Sequence, residues 1–277
     1  MNGHPYSRLV DAAQDALGGG LSSAGPAPFA LAQTRLDSGS SPRDVWCARL
    51  LLIDGIKAEE RTAEPVYHSA LAALNALLRH RDTKMNVGLD ADFADAANMY
   101  VEHQTRINDE VTRGEWATRA CFELQPFYFE RHSLKRGRRV KAHAKTAKFE
   151  YAFDALDKLR LVRTPRYEAF IDHGEEDIRH LHYDANGQLV HIQRYEVRAG
   201  KVVKRRFFAK HGVGEERYTY EGACLVRIDG ETYSSGRGWA TEQLEATYDA
   251  DGSLRLLESV YECLSRRLVL WESQGRA

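Results

Sequence analysis

The spacing of apolar residues changes character once along the chain, near residue 115. Before that point apolar positions recur three and four apart, as in helices that bury one stripe. Ser41-Pro42-Arg43-Asp44 has the form of a capping box with proline in the first turn, and Val45, Trp46, Leu52, Ile53 and Ile56 follow at helical spacing to about Thr62. Pro65 opens a second helix with the stripe Leu71, Leu74, Leu77 and Leu78, ending between His80 and Asp82. Phe93, Ala97, Tyr100, Val101, Gln104, Ile107 and Val111 predict one long third helix between Asp90 and Gly114. Asp90, Asp92 and Asp95 lie in its first turns, where the helix dipole favours negative charge. Residues 18–28 (GGGLSSAGPAP) predict a loop or mobile arm.

After residue 115 the runs are short and alternating, bounded by Gly, Asp and Asn, and 21 of the 27 aromatic residues fall there. These are strand signals. The expected fold class is α+β: a helical domain of three or four helices over residues 1–115, then an antiparallel sheet of successive hairpins over 116–277, with the helices on one face or end of the sheet. In Lys201–Phe208 both alternating faces carry charge as well as apolar surface, which predicts a twisted, open sheet.

One phrase recurs within this half. Tyr183-Asp184-Ala185-Asn186-Gly187-Gln188-Leu189 and Tyr248-Asp249-Ala250-Asp251-Gly252-Ser253-Leu254 are close copies, and Phe153-Asp154-Ala155 and Tyr220-Glu221-Gly222 are looser ones. The phrase predicts a hairpin: the Asp carboxylate accepts from backbone N–H groups ahead of it, and Gly three residues on supplies the left-handed conformation. It resembles the tyrosine-aspartate repeats of bacterial RHS-type proteins and the variant MORN hairpins of some bacterial antitoxin and immunity proteins. The resemblance covers residues 150–262, and two of the four copies lack the Gly at the expected place. It implies stacked hairpins that build a surface rather than a catalytic centre.

Charge sharpens the picture. The net charge of −1 conceals a balance of −5 over residues 1–115, +9 over 116–211 and −5 over 212–277. The middle is dominated by residues 131–148, which hold eight Lys or Arg and no acid. Such density calls for counter-charge: an acidic protein partner, nucleic-acid phosphates, or the chain's own acidic helices. Arg136, Arg138, Arg139, Lys141 and Lys145 are the candidate partner-binding residues, with Lys204, Arg205 and Arg206 as a second strip. Phe127, Tyr128, Phe129 and Phe149 beside the tract suit either base stacking or a sheet core.

Other chemistry is thinly signalled. On a strand, His180, His182 and Asp184 would share a face, as metal ligands could, although Asp184 is also explained as a turn residue. The chain has no nucleophile elbow, phosphate loop, dinucleotide fingerprint or His-Glu-x-x-His motif. Ser234–Trp239 reads as a hairpin loop, and Glu175-Glu176-Asp177 and Glu215-Glu216 read as solvated turn charges. Cys47, Cys121, Cys224 and Cys263 are too widely spaced for a zinc or small disulfide pattern, so the expectation is reduced thiols in the cytoplasm. Asp11 and Asp15 interrupt any signal-peptide core, and no apolar run is long enough to span a membrane. Together these readings anticipate a non-enzymatic binding protein of the immunity or antitoxin kind, needing no cofactor and neutralising an acidic toxin or effector. The alternatives are a nucleic-acid binder using the same tract, and a hydrolase or metal-dependent enzyme with a dispersed site.

Overall fold

The computed structural model describes residues 5–24, 27–39, 41–60, 62–80, 86–142 and 144–273. Four helices come first: α1 (Pro5–Ala24), α2 (Ala27–Ser38), α3 (Pro42–Ala58) and α4 (Pro65–Arg79). Leu17, Phe29, Leu52, Ile56, Leu74 and Leu77 are fully buried between them. The capping box at α3 forms as expected, with the Asp44 N–H donating to Ser41 Oγ at 3.3 Å. The helix stops at Ala58, short of Thr62, and α4 stops at Arg79; residues 81 and 82 lie outside the described residues.

The arm expected at residues 18–28 is helical instead: α1 continues through its three glycines to Ala24 and α2 begins at Ala27, with residues 25 and 26 outside the described residues. Close packing explains the difference. A Cβ on Gly20 would stand 2.0 Å from the Phe29 ring, and one on Gly55 would stand 2.4 Å from Pro28. The small residues let α1 and α3 approach α2, and burial of Phe29 offsets the roughly 1 kcal/mol by which glycine disfavours a helix.

The single helix expected from Asp90 to Gly114 is two helices and the start of a strand: α5 (Asp90–Ala96), α6 (Tyr100–Glu110) and β1 (Val111–Ala117). In an unbroken helix the Ala96 carbonyl would accept from the Tyr100 N–H. Here it accepts from the Met99 N–H at 3.1 Å and from the buried Tyr183 hydroxyl at 2.7 Å. A tertiary hydrogen bond thus occupies the break, and the change from helix to strand comes at Val111. The helical segment also holds more helices than the three or four expected.

Beyond β1 come a short helix α7 (Tyr128–Arg131), β2 (Arg139–Val140), β3 (Phe149–Asp154), β4 (Leu159–Arg163), β5 (Tyr167–His173) and β6 (Asp177–Asp184). The remaining strands are β7 (Leu189–Arg198), β8 (Lys201–Ala209), β9 (Gly212–Glu221), β10 (Cys224–Ser234), β11 (Gly238–Tyr248), β12 (Leu254–Tyr261) and β13 (Arg266–Glu272). Among the described residues all thirteen strands form one antiparallel sheet, in which β3 to β13 follow sequence order and β1 and β2 extend it beyond β3.

All four copies of the repeated phrase are hairpin turns. Asp184 Oδ1 accepts from the N–H groups of Asn186 and Gln188 at 2.8 and 3.0 Å, and Gly187 has φ +74°. Gly252 repeats this conformation at φ +80°. In the Phe153 copy, Asp157 takes the glycine position at φ 62° while Asp154 accepts from Leu156 and Lys158. Glu215-Glu216, expected in a turn, lies inside β9 instead.

Strand alternation gives the sheet two different faces. Leu161, Phe170, Leu181, Tyr183 and Ile192 pack under α5 and α6. On the same face Tyr233 and Trp239 dock the first four helices, and the Tyr233 hydroxyl donates to the Arg79 carbonyl at 3.0 Å. The opposite face is covered by residues 118–138, the excursion between β1 and β2. Phe122 of this cap meets Tyr151 and Phe153 edge-on, and Phe127 joins the cluster around Tyr218, Ile228, Leu244 and Leu257.

Candidate functional site

The basic tract runs from the end of the cap, through edge strand β2, into the loop before β3. The cap is anchored by Arg131, which donates to Glu216 at 2.9 Å and also reaches Glu242. Further along, Arg136 pairs with Glu130 at 3.3 Å and lies 4.2 Å over the Phe129 ring. Arg139 pairs with Glu115 at 3.0 Å over Phe122. Lys135, Arg138, Lys141, Lys145 and Lys148 are exposed and make no ion pair among the described residues, while His143 lies outside them. Among the described residues the tract's ion pairs, to Glu115, Glu130, Glu216 and Glu242, all stay within the sheet and cap and none reaches α1–α6. Its neighbouring rings turn inward: Phe129 is buried, and Phe149 packs with Tyr151.

The second strip is not a continuation of this surface. Six strands separate β8 from β2, so seven inter-strand spacings place them about 34 Å apart across the sheet. Lys204 pairs with Glu215 at 2.7 Å, and Arg206 reaches Glu196 and the Val87 carbonyl. Arg205 points to the opposite face, under the cap, with its side chain 12% exposed and 3.3 Å from Glu216. Glu216, only 5% exposed, accepts from Arg131, Gln125 and the Tyr218 hydroxyl as well. Burial pushes its pKa up, but Arg205 and Arg131 more than cancel this and hold the carboxyl below its usual range. Glu216 therefore ties cap to sheet, a role opposite to that of a solvated turn charge.

Beside this network, cap and sheet enclose a pocket of about 440 Å³. On its sheet side Tyr167, His182 and His191 stack across three neighbouring strands, with centroid separations of 4.3 and 4.5 Å. His180 lies next to them, 8% exposed, and neither of its ring nitrogens has a hydrogen-bond partner among the described residues. Burial keeps all three imidazoles neutral: His182 is pushed down to about 4, His191 to about 3, and His180 well below its ordinary value. Alternation along β6 correctly puts His180 and His182 on one face, but the Asp184 carboxylate is held by its own turn. No group of three or more His, Cys, Asp or Glu among the described residues is arranged to hold a metal ion. His191 and Gln193 escaped sequence inspection because they lie across the hairpin; counting register outward from the Asp184 turn would have paired His191 with His182.

The polar chain at the pocket fixes a tautomer. Arg205 Nε and the Tyr195 hydroxyl both donate to Gln193 Oε1, at 2.7 and 2.8 Å. The Gln193 amide nitrogen must therefore face His191 Nε2, 3.0 Å away, and donate to it. An imidazole that accepts at Nε2 while neutral carries its proton on Nδ1.

A second cleft of about 660 Å³ separates α2 and α3 from strands β9 to β12. Its arginines are paired, Arg35 with Asp44, Arg43 with Glu262, Arg217 with Glu215 and Arg227 with Asp229. Cys47 and Cys263 meet there as free thiols, and a hydrogen bond from Cys263 draws Cys47 down to about 7. Among the described residues no helix is long and apolar enough to cross a membrane. No protein-family model matches the chain, and no curated protein matches it.

Proposed function

We propose that the chain is a non-enzymatic binding protein of the immunity or antitoxin kind, acting in the cytoplasm and blocking an acidic toxin or effector with the basic tract at the β2 edge. The observation that carries this reading is the set of five exposed cations, Lys135, Arg138, Lys141, Lys145 and Lys148, with no ion pair among the described residues. Charges on an edge strand also discourage unwanted strand pairing. Yet β2 is two residues long, and the cations extend well beyond it on both sides. A protein partner is favoured over nucleic acid because Phe129 is buried and Phe149 packs against Tyr151, so these rings are not free to stack on bases. Surface cations of this sort act mainly by steering association.

The test uses the full chain and the triple variant Arg138→Ala, Lys141→Ala, Lys145→Ala, whose side chains are exposed and make no ion pair among the described residues. Affinity capture from the native cell should recover an acidic protein, and the triple variant should associate with that purified partner about tenfold more slowly at low salt. Equal association rates for the two proteins would overturn the reading. So would retention on DNA or RNA that falls steeply with salt, together with no protein partner.

A further inference from the structure

We propose that the pocket between the cap and the sheet is a binding site for a planar, non-anionic heteroaromatic molecule that accepts a hydrogen bond from His191 Nδ1–H. The size fits a small ligand: about 440 Å³ lies within the roughly 300–1,000 Å³ of ordinary ligand pockets. The lining chooses the chemistry. Phe122 and Tyr128 of the cap and Tyr151 and Phe207 of the sheet line it, offering rings for stacking and edge contacts.

Its polar groups are directed. Gln193 is held at its oxygen by Arg205 and Tyr195, so it occupies His191 Nε2 and leaves Nδ1–H as a donor with no partner among the described residues. His182 makes no hydrogen bond among the described residues, so one ring nitrogen can accept and the other donate. His180 adds a buried imidazole with both nitrogens unmatched among the described residues, an arrangement that structural cores avoid because unpaired polar groups lose their hydration for nothing.

Charge sets the remaining condition. The two charged residues of the lining, Glu123 and Arg205, are of opposite sign, and Arg205 is already committed to Glu216. An anionic ligand would lose its hydration without gaining a counter-charge, whereas a neutral one loses little. The site is separate from the exposed cations at the β2 edge and does not depend on their role.

Indazole is a suitable probe, being flat and neutral with one donor and one acceptor; benzoate and cyclohexanol serve as an anionic and a non-planar comparator. Titrated into the full chain at neutral pH, indazole should give saturable NMR shifts in the His182 and His191 ring resonances, and the comparators should bind at least tenfold more weakly. His191→Phe keeps the ring but removes the donor, and should weaken indazole about five- to tenfold, the value of one lost hydrogen bond. Ala209→Leu, which fills the pocket at its half-buried rim, should weaken it too, with the folded spectrum retained. The triple variant at Arg138, Lys141 and Lys145 should bind indazole normally, so failure here and failure of the surface reading are distinguishable. The proposal is overturned if indazole shows no saturable binding, if benzoate binds as well, or if neither pocket variant changes the affinity of a protein that remains folded.

Discussion

Glu216 shows how one residue fixes the relation between two parts of the chain. It receives Arg131 and Gln125 from the cap and Arg205 and Tyr218 from the sheet, and is itself nearly out of water. A buried carboxylate is tolerable only while such partners remain. Arg131→Met should therefore destabilise the protein by about 3 kcal/mol, measured by denaturant unfolding, and free the cap for proteolysis before the sheet. A change under 1 kcal/mol would show that Arg205 alone suffices. Nothing in the sequence around Glu215-Glu216 announced this role. Gly214 beside them reads as turn punctuation, but it admits the Phe207 ring, which a Cβ there would meet at 2.2 Å. Long-range pairing across 85 residues leaves no local trace.

Elements divide by whether their signal is local. The hairpin phrases were legible because Asp and Gly act within five residues, and the alternation of β6 correctly grouped His180 with His182. The capping box of α3 was legible for the same reason. The arm at residues 18–28 and the continuous helix from Asp90 were misread because tertiary contacts overrode local preference. Gly20 looks like a flexible joint, yet the space opposite it is filled by Phe29. Elsewhere in a helix, Gly to Ala gains up to about 1 kcal/mol. Here Gly20→Ala should instead cost about 1–3 kcal/mol by overpacking, read as a lower thermal midpoint. A rise in the midpoint would mean that α1 and α2 are more loosely joined than the contact implies.

At the scale of the whole molecule, the exposed cations were legible as a tract, whereas the pocket was not, since its walls come from β3 to β8 and from a cap that precedes them in sequence. Its neutral imidazoles make stability depend on pH. Unfolded histidine takes a proton near 6.5, but burial lowers His182 to about 4 and His191 to about 3 in the folded chain. Between these limits the unfolded state binds more protons. Their contribution is therefore complete above pH 6.5 and is lost as the pH falls toward 4. Below that, Glu216 and Asp172, whose burial is outweighed by paired arginines, act in the same direction. The thermal midpoint should fall from pH 6.5 to 4.5, and less steeply in the double variant His182→Gln, His191→Gln. Equal slopes would contradict the burial of those rings.

From β4 to β13 every strand bonds only to its neighbours in sequence. No strand has to be inserted between two that are already joined. A descendant chain could therefore gain or lose one hairpin from the middle of this run and keep every other pairing, changing the width of the sheet while its two termini stay on the same sides.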